Sequence, residues 1–306
     1  ICTKTTSKKY IDYIFRNKTV TKNIGKSVRT RLLNLAKEEK QDYVKVLVRY
    51  LHERLLFRIS ASPYKSHFLL KGSSLLFALD GFKSRPTIDI DLLGNRISND
   101  QEKIKEAFLK VCKIECKDDG VTFDSASLEL EPIAVDKKYP GTCVKLVAHL
   151  DTIVQQVSVD IGFGDVVTPY PLPLDYPLLL PNIPPVELYA YSLETLIAEK
   201  FHAMVDRDES NSRMKDFFDV YQLFINHEID KELLAEAIVG TFKNRNTPYR
   251  ENLALFTDKF ATDATRNIWW KAFLKKIRWK EQIDFSVVMK CIKENLQAYW
   301  NKETLG

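Results

Sequence analysis

The sequence has no apolar run near the roughly 18–20 residues that span a bilayer, which excludes a helical membrane protein. Cysteine is sparse and odd in number. Cys2, Cys112, Cys116, Cys143 and Cys291 are scattered along 306 residues, which argues against a disulfide framework and for a reducing compartment. Cys112 and Cys116 stand one helical turn apart, but no second Cys or His pair at ligand spacing accompanies them, so they read as buried thiols rather than a metal site. Phosphate-binding P-loop, nucleophilic elbow and zinc motifs are all missing, as are internal repeats and low-complexity tracts. The opening residues, Ile1-Cys2-Thr3-Lys4-Thr5-Thr6, lead into no apolar core of a signal peptide. A cytoplasmic protein without membrane contact is the expectation. The net charge of +5 falls short of a dedicated nucleic-acid binder, yet permits a polyanionic partner.

What is present suits a globular chain. With 45% apolar and 28% charged residues, the protein can bury one large core or two modest ones, and wholesale disorder is excluded. Ile24, Val28, Leu32 and Leu35 fall at helical spacing, and so do Val44, Leu47, Leu51, Leu55 and Ile59, predicting two helices before Ser62-Pro63. Phe68-Leu69-Leu70 reads as a short strand that ends at Gly72-Ser73, with a helix over Ser74–Leu79. Thr87-Ile88-Asp89-Ile90-Asp91-Leu92 alternates like a half-buried strand. A helix is predicted from Asp100 to about Cys116, then strands around Leu128–Ile133, Thr142–Leu150 and Ile153–Ile161. The prolines between 169 and 185 exclude helix and central strand there, leaving a linker or an edge-hugging segment. From Ser192, a candidate cap with Thr195, the pattern is helical to the end. Helices are expected around Lys215–Ile225, Asp230–Val239, Thr265–Leu274 and Phe285–Trp300. The division expected is a helical segment and sheet-bearing core over 1–185, and a helical domain over 186–306 that completes a cleft.

Asp89 and Asp91 carry the chemistry. Two residues apart on a strand, they project to one face, where two carboxylates repel unless a cation lies between them. As hard oxygen ligands they suit Mg²⁺ or Mn²⁺. A solvated strand face with two acids is the plain alternative. Gly72-Ser73, between a strand and a helix, offers N–H groups to phosphate oxygens, and glycine permits close approach. Asp160 stands on its own predicted strand, where a base for an attacking hydroxyl would sit. Lys200, Lys215 and Asp216 fall on or between two helices. Lysines suit phosphate as point charges, and Asp216 can orient one of them or a ribose hydroxyl; a salt-bridged helix surface is the alternative.

Gly72-Ser73 followed by Asp89-Ile90-Asp91 resembles the G-S…D-x-D signature of the polymerase-β-like nucleotidyltransferase superfamily. The longer strings Phe68-Leu69-Leu70-Lys71-Gly72-Ser73 and Arg85-Pro86-Thr87-Ile88-Asp89-Ile90-Asp91 look more narrowly like the AbiEii toxins of type IV toxin–antitoxin and phage-abortive systems. The likeness continues at Val159-Asp160-Ile161-Gly162-Phe163-Gly164-Asp165, at Glu199-Lys200-Phe201-His202-Ala203-Met204, at Arg207, and at Arg213-Met214-Lys215-Asp216-Phe217-Phe218-Asp219. It covers roughly residues 24 to 250. Many members carry a second glycine where this chain has Ser73.

The resemblance implies an α+β fold, with a nucleotidyltransferase core of mixed sheet and flanking helices plus a helical C-terminal domain. It implies that Lys71, Gly72 and Ser73 hold a nucleoside triphosphate (NTP), that Asp89 and Asp91 bind metal, and that Asp160 is a third, less secure carboxylate. Lys200, Lys215 and Asp216 would contact nucleotide, with Lys200 and Asp216 in the catalytic set. The implied activity is nucleotidyl transfer to an acceptor, most simply tRNA, with a cognate antitoxin encoded alongside. A nucleotide- or nucleic-acid-binding module without activity, and a small-molecule nucleotidyltransferase, are the rival readings. A C-terminal stretch combining Lys243, Arg245, Arg250, Arg266, Lys271, Lys275, Lys276, Arg278 and Lys280 with Trp269, Trp270 and Trp279 reads either as a nucleic-acid surface or as an amphipathic helix with its indoles in the core.

Overall fold

Asn23 and Asp42 each accept backbone N–H groups from the turn that follows, and so start the first two helices, α1 (Ile24–Glu38) and α2 (Tyr43–Ser60). The structure, a computed structural model, describes residues 23–133 and 141–305. The opening segment read for a signal peptide, and Cys2, lie outside them. Helix α1 buries Gly25, Val28, Leu32 and Ala36; of the positions its spacing marks, Val28 and Leu32 are buried, Leu35 is half-buried and Ile24 is exposed. Helix α2 is buried nearly all round and carries charge inward: Arg58 pairs with Asp119 at 2.8 Å, and Arg54 with Glu53 at 2.8 Å.

Among the described residues seven strands form one mixed sheet: β1 (Phe68–Lys71), β2 (Asp89–Gly94), β3 (Val121–Ile133), β4 (Gly141–Leu150), β5 (Ile153–Phe163), β6 (Leu172–Tyr176) and β7 (Val186–Ala190), in the order β3-β4-β5-β2-β1-β7-β6. The strand β1 runs directly into α3 (Gly72–Asp80). Helix α4 (Gln101–Cys112) follows β2 and stops at Cys112, four residues short of the reading, because its buried face of Ile104, Ala107, Phe108 and Val111 ends there. The proline-rich stretch supplies an edge strand: Pro173 lies in β6, the outermost strand, where a missing N–H costs no ladder bond. Strand β7 has no counterpart in the sequence reading. It adds to β1 in parallel, and Leu70 faces Ala190 across that ladder.

The remaining chain is helical: α5 (Leu193–Arg207), α6 (Met214–Asn226), α7 (Lys231–Asn244), α8 (Asp258–Thr262), α9 (Ala264–Ile277), α10 (Phe285–Leu296) and α11 (Lys302–Leu305). Ser192 caps α5, accepting from the Thr195 N–H. An aromatic core of Phe217, Phe218, Phe260, Trp270 and Phe285 joins α6, α8, α9 and α10. Among the described residues no helix is long and apolar enough to cross a membrane.

Candidate active site

Register places the carboxylates. Strands β1 and β2 are antiparallel with Lys71 opposite Asp91, and β2 and β5 are parallel with Asp91 opposite Asp160. One row therefore crosses the sheet through Lys71, Asp91, Asp160 and Cys143. Asp89, two residues before Asp91, opens on the same face. The three acids crowd one another. Burial raises the Asp89 carboxyl, and the charges of Asp160 and Asp91 raise it further; burial likewise raises Asp160, with Asp91 adding to it. Lys215, on the first turn of α6, partly offsets both.

Gly72 takes a φ of +59°, the left-handed region that glycine enters without cost. A Cβ there would fall inside the Asp91 carboxylate. The close approach lets the Asp91 Oδ2 accept the Ser73 N–H at 3.1 Å and the Ser73 hydroxyl at 3.3 Å. The N-cap residue, Lys71, makes no side-chain bond to the helix start, so beyond the Ser73 N–H taken by Asp91 the first-turn N–H groups stay available to an anion. Replacing Gly72 with alanine combines left-handed strain with overpacking, an expected loss of about 2–4 kcal/mol in urea unfolding. An unchanged midpoint would contradict the fit described.

Two ion networks line the cleft. In the first, the Arg85 guanidinium grips Asp219 through Nε at 2.7 Å and Nη2 at 2.9 Å. Lys200 Nζ donates to Asp219 at 2.7 Å and to Asp216 at 3.3 Å, and Arg213 Nε donates to Asp216 at 2.6 Å. Burial would lower the Lys200 ammonium, but Asp219 and Asp216 outweigh it and raise it. Burial opposes ionisation of Asp216 too, yet Lys200 and Arg213 pull its carboxyl down to about 2. Arg49, from α2, lies over the Phe77 ring at 4.1 Å and donates to the Arg85 carbonyl at 3.0 Å, tying α3 to the loop before Asp89.

In the second network Lys71 Nζ donates to Asp165 at 2.9 Å and to Glu199 at 3.1 Å, while Arg245 holds Asp165 at 2.7 Å. Burial would lower Lys71, but Glu199, Tyr191 and Asp165 raise it well above its usual range. Arg245 Nη1 also reaches His202 Nδ1 at 3.1 Å. A guanidinium only donates, so Nδ1 accepts and Nε2 carries the proton toward Thr247 Oγ1 at 2.6 Å. Burial and Arg245 hold His202 neutral, with its pKa lowered to about 4.

Both networks face one cavity of about 630 Å³, lined by seven basic and five acidic side chains, a balance that admits a polyanion. Lys71, Gly72, Ser73, Asp91, Lys200, Lys215 and Asp216 line it. Asp89 and Asp160 stand on the sheet face beside Asp91, outside the lining. Lys71 is already matched by half-buried carboxylates and Lys200 by buried ones, whereas Lys215 is exposed and has no ion pair among the described residues. Asp165, Glu199 and Asp219 lie inside the motifs over 159–165, 199–204 and 213–219 but carry no predicted role, and Arg245 is expected only as one of the basic residues of the C-terminal stretch.

Among the described residues no three His, Cys, Asp or Glu side chains converge into a complete metal cage. Mg²⁺ is commonly held by one or two carboxylates together with phosphate oxygens, and the crowded donors at Asp89 and Asp91 fit that demand. Comparison with solved structures gives JHP933 from Helicobacter pylori at 15% identity, covering 84% of this chain and 92% of that one, with a TM-score of 0.47. A candidate nucleotidyltransferase from H. pylori is 14% identical, covering 79% of this chain and 100% of that one, with a TM-score of 0.41. No curated protein matches in sequence. The model of one family, the nucleotidyl transferase AbiEii toxins of type IV toxin–antitoxin systems, matches residues 54–290. With the G-S and D-x-D elements on one cleft and most of the chain matched, the protein belongs to the AbiEii family of nucleotidyltransferase toxins.

Proposed function

We propose that this protein transfers a nucleotidyl group from an NTP to a tRNA hydroxyl in the cytoplasm, in a metal-dependent reaction restrained by a cognate antitoxin and serving phage defence. The observation that carries this reading is the juxtaposition of Asp91 with the Gly72-Ser73 helix start at one cavity, with Asp89 and Asp160 beside Asp91 on the same sheet face. The triphosphate lies against the first-turn N–H groups of α3, with Lys215 and Arg213 matching its charge. Asp89 and Asp91 hold Mg²⁺ or Mn²⁺, which when bound neutralises charge on the phosphates. Asp160, kept basic by burial and its acidic neighbours, accepts the proton of the attacking hydroxyl. The acceptor oxygen bonds to the α-phosphorus, the bond to the bridging oxygen breaks, and pyrophosphate leaves. Lys200 acts mainly by fixing Asp216, and Lys71 by fixing the wall made with Asp165 and Glu199.

The test is incubation of the protein with each α-phosphate-radiolabelled NTP, Mg²⁺ and total cellular RNA on a denaturing gel. A labelled tRNA-sized band that is lost in Asp91→Asn is the expected result. Label on protein alone, or no label while NTP still binds, overturns the tRNA reading.

A further inference from the structure

The solvent face of α9 is an unusual surface. From Ala264 to Lys280 the chain has Arg266, Lys271, Lys275, Lys276, Arg278 and Lys280 and no acidic residue. The structure divides its aromatics: Trp270 is buried against Phe218 and Phe285, and Trp279 packs edge-on to Phe218 at 4.9 Å, but Trp269 is 41% exposed and its neighbour Ile268 66% exposed. Of the two readings of this stretch, the one that places its indoles in the core holds for Trp270 and fails for Trp269. Lys271, Lys275 and Lys276 are exposed, and no described acid pairs with them. Arg278 is 73% exposed, with Asp42 no nearer than 3.8 Å.

This face is tied to the catalytic cleft at both its start and its middle. Arg266 donates to the Glu209 carbonyl, in the short turn that joins Arg207 to Arg213, both of which line the cavity. Phe218, three residues after Lys215 on α6, is the ring on which Trp270 and Phe273 pack. Helices in contact lie roughly 8–10 Å apart, so the outer face of α9 stands on the order of 15–20 Å from Lys215, a few nucleotides' reach.

We infer that this face of α9 is the docking shelf for the acceptor RNA. Lys271, Lys275 and Lys276 track its phosphates, while Trp269 offers an exposed ring for a base to stack upon. Lysines release counterions from a nucleic-acid backbone without reading sequence, and an exposed indole costs solvation unless it meets a flat partner. The inference rests on the RNA-acceptor reading above but concerns binding rather than chemistry, so the two can fail separately.

The experiment is fluorescence anisotropy of a labelled tRNA pool, without NTP or metal, titrated with the full chain across a salt series. For wild type, binding that weakens steeply with salt is expected. The triple variant Lys271→Glu/Lys275→Glu/Lys276→Glu should bind at least about tenfold more weakly, with the logarithmic salt slope reduced by about 2 for three lost phosphate contacts. Trp269→Ala should weaken binding about fivefold or more with the slope unchanged, since stacking is not ionic. NTP binding should match wild type in both. Absence of tRNA binding by wild type, or equal affinity and slope in the folded triple variant, overturns the shelf. Intact binding without nucleotidyl transfer would leave the shelf standing and sink only the enzymatic reading.

Discussion

Purified Asp89→Asn protein is expected to melt no lower than wild type, while its nucleotidyl transfer falls by about 10³-fold or more. The two halves of this result have one cause. The Asp89 carboxylate takes no described hydrogen bond or ion pair, and burial and the charges of Asp160 and Asp91 raise its pKa in the folded protein. A raised carboxyl pKa means that folding prefers the protonated form. Asp89 thus favours the fold below its unfolded pKa, and that contribution is lost as pH rises through the folded value. At neutral pH the ionised group opposes the fold, and the neutral amide removes the repulsion. Any gain in melting temperature should shrink toward zero as pH drops below the carboxylate range. Activity runs the other way, because an amide is a poor ligand for a hard cation, and several kcal/mol of charge stabilisation at phosphorus goes with it. Thermal melts from acid to neutral pH, beside the labelling assay, check both halves. Transfer within tenfold of wild type would remove Asp89 from the metal site.

The second large effect concerns Asp219. Its carboxylate is 1% exposed and receives Arg85 through two bonds and Lys200 through a third. Asp219→Ala leaves two buried cations facing each other across a cavity, an expected cost of about 3–5 kcal/mol in urea unfolding. The damage should reach the cleft, because Arg85 sits four residues before Asp89 and Lys200 also fixes Asp216. Asp219→Asn removes the same charge but keeps the shape and one acceptor oxygen for the two cations, and should lie between alanine and wild type. Equal stability of all three proteins would show that Arg85 and Lys200 find other partners.

Much of the site was legible because its parts are local. A strand's period of two is enough to put Asp89 and Asp91 on one face, and a glycine between strand and helix is enough to suggest a phosphate cradle. The outline of helices, sheet and helical C-terminus followed from periodicity in the same way. What stayed hidden was the partnering of charges across long distances. Lys71 reads as a phosphate ligand beside Gly72, but its neutralising acids, Asp165 and Glu199, arrive 94 and 128 residues later. Strand β7 was missed because Val186–Ala190 is a short half-alternating run next to prolines, and only pairing with β1 makes it a strand. Trp269 and Trp270 are adjacent, so composition could not say which indole would turn inward. Packing against Phe218 decides it.

The separation of these partners also has a temporal side. Arg85 meets Asp219 across 134 residues of chain. A nascent chain that has reached only the end of the sheet already displays Gly72-Ser73 and the paired aspartates, but it has neither α5 nor α6 to wall them in. The wall therefore closes only after residue 219 of these 306 has been made. A product truncated before α6 is expected to keep the Gly72-Ser73 turn and the paired aspartates but to lack Lys215, Asp216 and Asp219, which wall them in.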